Sequence, residues 1–190
     1  NSMLAEDIKP NRLERAKQAI SKLIDKLGND RIGIIVFAGN AYVQLPITTD
    51  HAAAKMFLST ISTKVVQNQG TAIGEAIELA EQSFDDETHS RAIIVITDGE
   101  NHEDDAMQAA EAAFEEGIII HTIGMGLPSG SPIPVLHGGQ TDYLKDRDGN
   151  VVVTKLNEQM LEQIAVAGGG IYVRANNAQV GLNSLFDEIN

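Results

Sequence analysis

The chain has 190 residues, 43% hydrophobic and 22% charged, which suits one domain with a sizeable core. A formal net charge of -13 repels phosphate backbones and anionic bilayers, so nucleic acid is excluded as a natural partner and a hard cation or a basic partner fits better. Cysteine is absent, which rules out disulfides, thiolate metal sites and a cysteine nucleophile; no apolar run is long enough to span a bilayer and no secretory signal is recognisable.

Strand-like and helix-like segments alternate, which predicts a parallel sheet with helices on its faces. Leu13, Ala16, Ile20, Leu23, Ile24 and Leu27 recur at helical spacing, and Gly28-Asn29 ends that helix. The run Arg31-Ile32-Gly33-Ile34-Ile35-Val36-Phe37 reads as a buried strand. After a turn at Gly39-Asn40, Ala41-Tyr42-Val43-Gln44-Leu45 alternates as a half-buried antiparallel edge strand that Pro46 should stop. Thr49 or Asp50 can cap a helix over 52–61 with Met56, Phe57 and Ile61 turned inward. Gly70-Thr71 precedes a helix whose apolar stripe is Ile73, Ala76, Ile77, Ala80 and Phe84. Arg91-Ala92-Ile93-Ile94-Val95-Ile96-Thr97 is a strand expected to be buried on both faces, and it stops abruptly at Asp98-Gly99. A helix begun by Asp104 or Asp105 runs to Glu116 and closes at Gly117, and 118–124 is the next buried strand. Residues 125–155 break the alternation. They read as an inserted β-hairpin, with Tyr143-Leu144-Lys145 and Val151-Val152-Val153-Thr154 flanking Asp148-Gly149. A helix over 158–167, a tight connection at Gly168-Gly169-Gly170, a last strand Ile171-Tyr172-Val173-Arg174 and a C-terminal helix facing inward through Leu182, Leu185, Phe186 and Ile189 complete the chain.

Ligands of open α/β sheets sit beyond the carboxyl ends of the strands, so Asp98 stands where binding chemistry is expected. Ser2 precedes the loop into the first helix and Thr71 begins a later one. Two hydroxyls and a carboxylate are hard oxygen donors suited to Mg²⁺, which takes few protein ligands and keeps several waters. Gly70 and Gly99 would let the backbone pass close to such an ion.

Gly70-Thr71-Ala72-Ile73-Gly74-Glu75-Ala76-Ile77, followed by Ile94-Val95-Ile96-Thr97-Asp98-Gly99-Glu100, resembles the von Willebrand factor type A domain. The opening Asn1-Ser2-Met3 resembles the tail of that family's Asp-x-Ser-x-Ser loop. Asp7-Ile8-Lys9-Pro10-Asn11-Arg12-Leu13 is similar to the stretch that follows this loop in bacterial aerotolerance (Bat) proteins. The resemblance covers 1–190 as one domain. It implies a doubly wound, mostly parallel open sheet with helices on both faces and one antiparallel edge strand. It also implies a metal-ion-dependent adhesion site at the carboxyl edge, with Ser2, Thr71 and Asp98 as ligands of Mg²⁺ or another divalent cation, and a carboxylate from a protein partner completing the shell. Bat proteins further imply an inner-membrane anchor outside this chain, a periplasmic domain, and partners among other Bat proteins or a MoxR-type ATPase complex. The family's first, central strand and its motif aspartate do not occur in this sequence, so the fold is expected to lack that strand and the 190-residue chain to bind Mg²⁺ weakly.

Other readings lead to different chemistry. A metal-dependent hydrolase would use Asp98 with Glu100 as base, but no Ser-His-Asp elbow, His-rich motif or phosphate loop accompanies them. A purely structural domain would leave the site vestigial. His102, Glu103, Asp104 and Asp105 read as a solvated helix start rather than a second cation site. Asp146-Arg147-Asp148-Gly149-Asn150 lacks the spacing and closing glutamate of an EF-hand, and Pro128 after Gly124-Met125-Gly126 breaks a dinucleotide fingerprint.

Overall fold

The structure, a computed structural model, describes residues 1–63, 72–85, 88–100, 106–137 and 140–175. In chain order its elements are a 3₁₀ turn (Ser2–Leu4), α1 (Arg12–Lys26), β1 (Ile32–Phe37), β2 (Ala41–Thr48), α2 (His51–Thr60), α3 (Ile73–Ser83), β3 (Arg91–Thr97), α4 (Ala106–Glu115), β4 (Ile118–Gly124), β5 (Ser131–Pro132), β6 (Pro134–His137), β7 (Gln140–Tyr143), β8 (Val153–Thr154), α5 (Glu158–Ala167) and β9 (Gly169–Arg174). The C-terminal helix expected around Leu182, Leu185, Phe186 and Ile189, and the helix starts at Gly70-Thr71 and Asp104-Asp105, fall outside the described residues.

Three parallel strands run in the order β3–β4–β9, and β1 pairs antiparallel with β2. Side chains alternate along β3, as the two-residue period requires. Ile93 and Val95 join a cluster with Ile73 and Ile77 of α3, Ala109 and Ala113 of α4, and Leu161 and Ile164 of α5. Ile94 and Ile96 pack on the other face with Ala16 and Ala19 of α1. The second half of α1 continues past this sheet, and Ile20 and Ile24 cover Ile34, Leu45, Ala54 and Leu58 of the β1–β2 and α2 region. Helices thus cover both faces, and α1 ties the two strand groups together. This is the mixed, helix-flanked α/β architecture expected from the alternation.

Capping explains several boundaries. The side chains of Asn11, Asp50 and Asn157 accept the N–H of Glu14, Ala53 and Met160, at 2.8, 2.9 and 3.3 Å, each satisfying a donor that helical geometry leaves orphaned. Gly117 closes α4 at φ +77°, a conformation that favours glycine.

Four local expectations need correction. Pro46 does not stop β2, which runs on to Thr48. The register with β1 shifts between Ile34↔Leu45 and Ile32↔Thr48, so Pro46 sits at an irregularity on an edge strand, where a missing N–H is tolerated. Met56 points outward, 59% exposed, while Ala54 and Leu58 are the buried residues of α2. The insert is not one hairpin about Asp148-Gly149. There only a Lys145–Val151 bridge forms, and the ladders are β6–β7 and β5–β8. Lastly, β1 and β3 are half-buried rather than buried: only Ile34 in the former, and Val95 and Thr97 in the latter, are buried. Among the described residues each pairs on one side alone, β1 with β2 and β3 with β4.

Candidate metal-binding rim and its buried ion-pair network

The parallel strands β3, β4 and β9 deliver Asp98, Met125 and Ala175 to one edge of the sheet. Asp98 is 2% exposed. Its main-chain carbonyl accepts the N–H of Asn157 at 2.9 Å, which fixes the start of α5 against the end of β3. Gly99 follows with φ +72°, and a Cβ there would lie 2.9 Å from the Asn157 carbonyl oxygen and 3.1 Å from Leu161 Cγ. The close approach that Gly99 permits among the described residues is to α5.

The Asp98 carboxylate has two unlike oxygens. Oδ2 accepts a hydrogen bond from Arg12 Nη1 at 3.0 Å. Oδ1 is approached by the Glu100 N–H at 3.4 Å, too long to satisfy it well. Arg12 itself is wholly buried, and all five of its N–H donors are used. Nε and Nη2 bind Asp7 in a two-pronged pair at 2.9 and 2.7 Å, Nη1 also reaches Thr154 Oγ1 at 2.9 Å, and Nη2 reaches the Thr154 carbonyl at 3.3 Å. Asp7 in turn accepts the backbone N–H of Leu127 at 2.8 Å and of Ile8 at 3.1 Å. Gly126 makes room for the guanidinium: a Cβ there would stand 2.7 Å from Arg12 Cζ, and φ of +126° suits glycine. Burial pushes the Asp7 carboxyl up, but the hydrogen bonds from Arg12 and Leu127 and the guanidinium charge outweigh it and hold it below the usual range. Burial likewise works against the Arg12 cation, and Asp7 and then Asp98 more than compensate.

Of the three residues expected to hold a cation, Asp98 is at the rim. Ser2 lies in the 3₁₀ turn that opens the chain, half-buried. Thr71 lies outside the described residues. The next residue, Ala72, donates to the Ala38 carbonyl at 2.7 Å, just beyond the carboxyl end of β1. Glu100, the base of the hydrolase reading, accepts the Lys155 N–H at 3.1 Å. Among the described residues no three His, Asp or Glu side chains gather for a metal. None of their helices is long and apolar enough to cross a membrane.

The sequence assigned no role at the site to Arg12, Asp7 or Thr154, although Asp7 and Arg12 lie in the stretch that resembles Bat proteins. The signal for Arg12 was nevertheless present: it falls in helical register with Ala16, Ala19 and Ile24, so a charged residue occupies the first position of the buried stripe.

The chain belongs to the von Willebrand factor type A domain family, whose profile matches residues 1–100. It is 53% identical to an aerotolerance-related membrane protein from Bacteroides fragilis NCTC 9343, whose crystal structure carries multiple mutations to serines. That likeness covers 100% of this chain and 94% of the other, with a TM-score of 0.95. It is 55% identical to the conserved hypothetical protein BatB from Bacteroides thetaiotaomicron, over 99% of this chain and 93% of the other, with a TM-score of 0.92. A UPF0353 protein of Nocardia farcinica is 30% identical over 99% of this chain but only 58% of its own length, and the chain spans about half the length of the curated relatives it matches.

Proposed function

We propose that this domain is a protein-binding module that docks a partner through a divalent cation held at the carboxyl edge of its sheet. Ser2, Thr71 and Asp98 would hold the cation, Mg²⁺ first among candidates. The observation that carries this reading is the state of Asp98: a buried carboxylate at the rim, with Oδ2 committed to Arg12 and Oδ1 poorly satisfied among the described residues. Hydroxyl and carboxylate oxygens are the donor chemistry that hard cations select. When bound, the cation would supply a positive charge that a partner's carboxylate can complete. A surface with net charge -13 repels such a carboxylate unless a cation lies between them, so the ion answers an electrostatic need of this chain.

Kinship with the two Bacteroides proteins extends the proposal to a membrane-anchored, aerotolerance-related assembly, with the domain on the periplasmic side and the anchor outside this chain. Other Bat proteins or a MoxR-type ATPase complex would be the partners. The test is affinity capture from membrane extract with Mg²⁺ or with chelator, using the wild-type domain and Asp98→Ala. A partner retained only with metal and only by the wild type is expected. The same proteins retained in chelator, or by Asp98→Ala, would refute the reading.

A further inference from the structure

The ion pairs of this chain differ sharply in setting. Lys9–Glu6, Lys17–Glu14 and Arg31–Asp85 each have a partner 45% exposed or more, and such pairs contribute little to stability. The side chains of Arg12, Asp7 and Asp98 are 0%, 3% and 2% exposed. A buried trio is costly to desolvate, and packed apolar residues commonly replace such groups without loss of stability. Its position one hydrogen bond from Asp98, whose Oδ1 is poorly satisfied among the described residues, gives it another use.

We propose that Asp7 and Arg12 form a charge-neutral clamp that positions Asp98 for a cation, Asp7 cancelling the guanidinium so that Asp98 keeps its negative charge for the ion. The proposal rests on the reading of Asp98 as a cation ligand. Arg12 alone, 3.0 Å from Oδ2, would act as a competing cation and spend the carboxylate's charge on itself. Asp7 prevents this by taking the other edge of the guanidinium at two points, 2.9 and 2.7 Å. Two carboxylates against one guanidinium leave the trio one negative charge in excess, and the carboxylate oxygen that the guanidinium leaves untouched is Asp98 Oδ1, whose one contact among the described residues is the long one from the Glu100 N–H at 3.4 Å. Arg12 cannot swing away, because Thr154 holds two of its N–H groups and Gly126 lies against its plane. Asp7 is steadied by the Leu127 N–H, just past the carboxyl end of β4. Asp7 and Arg12 are thus positioning residues, and the start and end of the insert, at Gly126-Leu127 and Thr154, complete their setting.

The test is Mn²⁺ binding, followed by electron paramagnetic resonance on the domain with its native flanking sequence, with thermal midpoints recorded for every variant. Asp98→Asn should abolish binding. Asp7→Asn, which touches no ion, should weaken it at least about tenfold, because the guanidinium then faces Asp98 alone. Asp7→Asn with Arg12→Gln removes the stray charge and should restore affinity to within about threefold of wild type. A merely structural role for the pair predicts the opposite, a double variant worse than the single one. Should Asp7→Asn not fold, Arg12→Lys carries the test: it keeps the charge but loses the fork, and its affinity should fall. Loss of binding in Asp98→Asn with wild-type affinity in Asp7→Asn, or in Arg12→Lys, overturns the clamp and leaves the cation reading standing. Wild-type affinity in Asp98→Asn overturns both.

Discussion

Strands β3 and β4 lie side by side, matched residue for residue from Arg91↔Ile118 to Thr97↔Gly124, and both are rich in isoleucine. Yet β4 is buried at every position but Ile119, and β3 at only two. Composition does not separate them; neighbours do. β4 is flanked by β3 and β9, whereas β3 has β4 alone among the described residues, and β1 has only β2. A run of Ile and Val reports that a strand suits a buried sheet, but exposure is settled by what lies beside it.

The largest expected consequence is in stability. Ile93 and Ile120 face each other in register and join the same apolar cluster, but only Ile120 is fully buried. Ile120→Ala should cost about 4 kcal/mol, a buried cavity that α5 and β9 cannot close, and Ile93→Ala about 2 kcal/mol. Chemical denaturation of the 190-residue chain measures both. Equal losses would break the comparison, since they would mean that β3 is as enclosed in solution as β4.

A smaller effect should appear at the carboxyl ends, where the two strands cease to differ because both are tied to Arg12. Asp98 follows β3, while Leu127, which follows β4, binds Asp7. The Asp7 carboxyl is held below its unfolded value in the folded state. Its contribution to stability is therefore complete above the unfolded carboxylate pKa, about 3.9, and disappears as pH falls through the lower folded value. Asp7→Asn should be less sensitive than wild type to acid below about pH 4 and should leave the difference between Ile93→Ala and Ile120→Ala unchanged. An acid response identical to wild type would show that Asp7 is not held by Arg12 in solution.

Helices and strands were legible wherever periodicity was long. β4 and α5 were read at their observed limits, and α1 and β3 within a residue or two. The rim was legible through Asp98, because a carboxylate that ends an apolar run marks the point where a buried strand leaves the core. What stayed hidden was non-local. Arg12 meets Thr154 across 142 positions, and Leu127 meets Asp7 across 120, separations at which no periodicity carries information. The insert was misread for a related reason: the Asp148-Gly149 turn is a strong local hairpin signal, but pairing of β5 with β8 and β6 with β7 left it a single bridge.

The finest test of the comparison is amide hydrogen exchange, residue by residue, in the 190-residue chain. Every backbone N–H in a sheet interior needs an acceptor, and water serves where no strand does. Along β4, pairing on both sides spans Ile120 and Thr122 to Gly124, so its amides should exchange slowly, near the rate set by global unfolding. Along β3, amides aimed at β4 should match them, while the alternate ones, aimed at the edge that pairs with no strand among the described residues, should exchange faster. A strand supplied to that edge, by residues outside this chain or by a second copy, would slow those alternate amides and leave β4 as it was. Uniform protection along β3 in dilute monomer would mean that the edge is already filled by residues outside the described set.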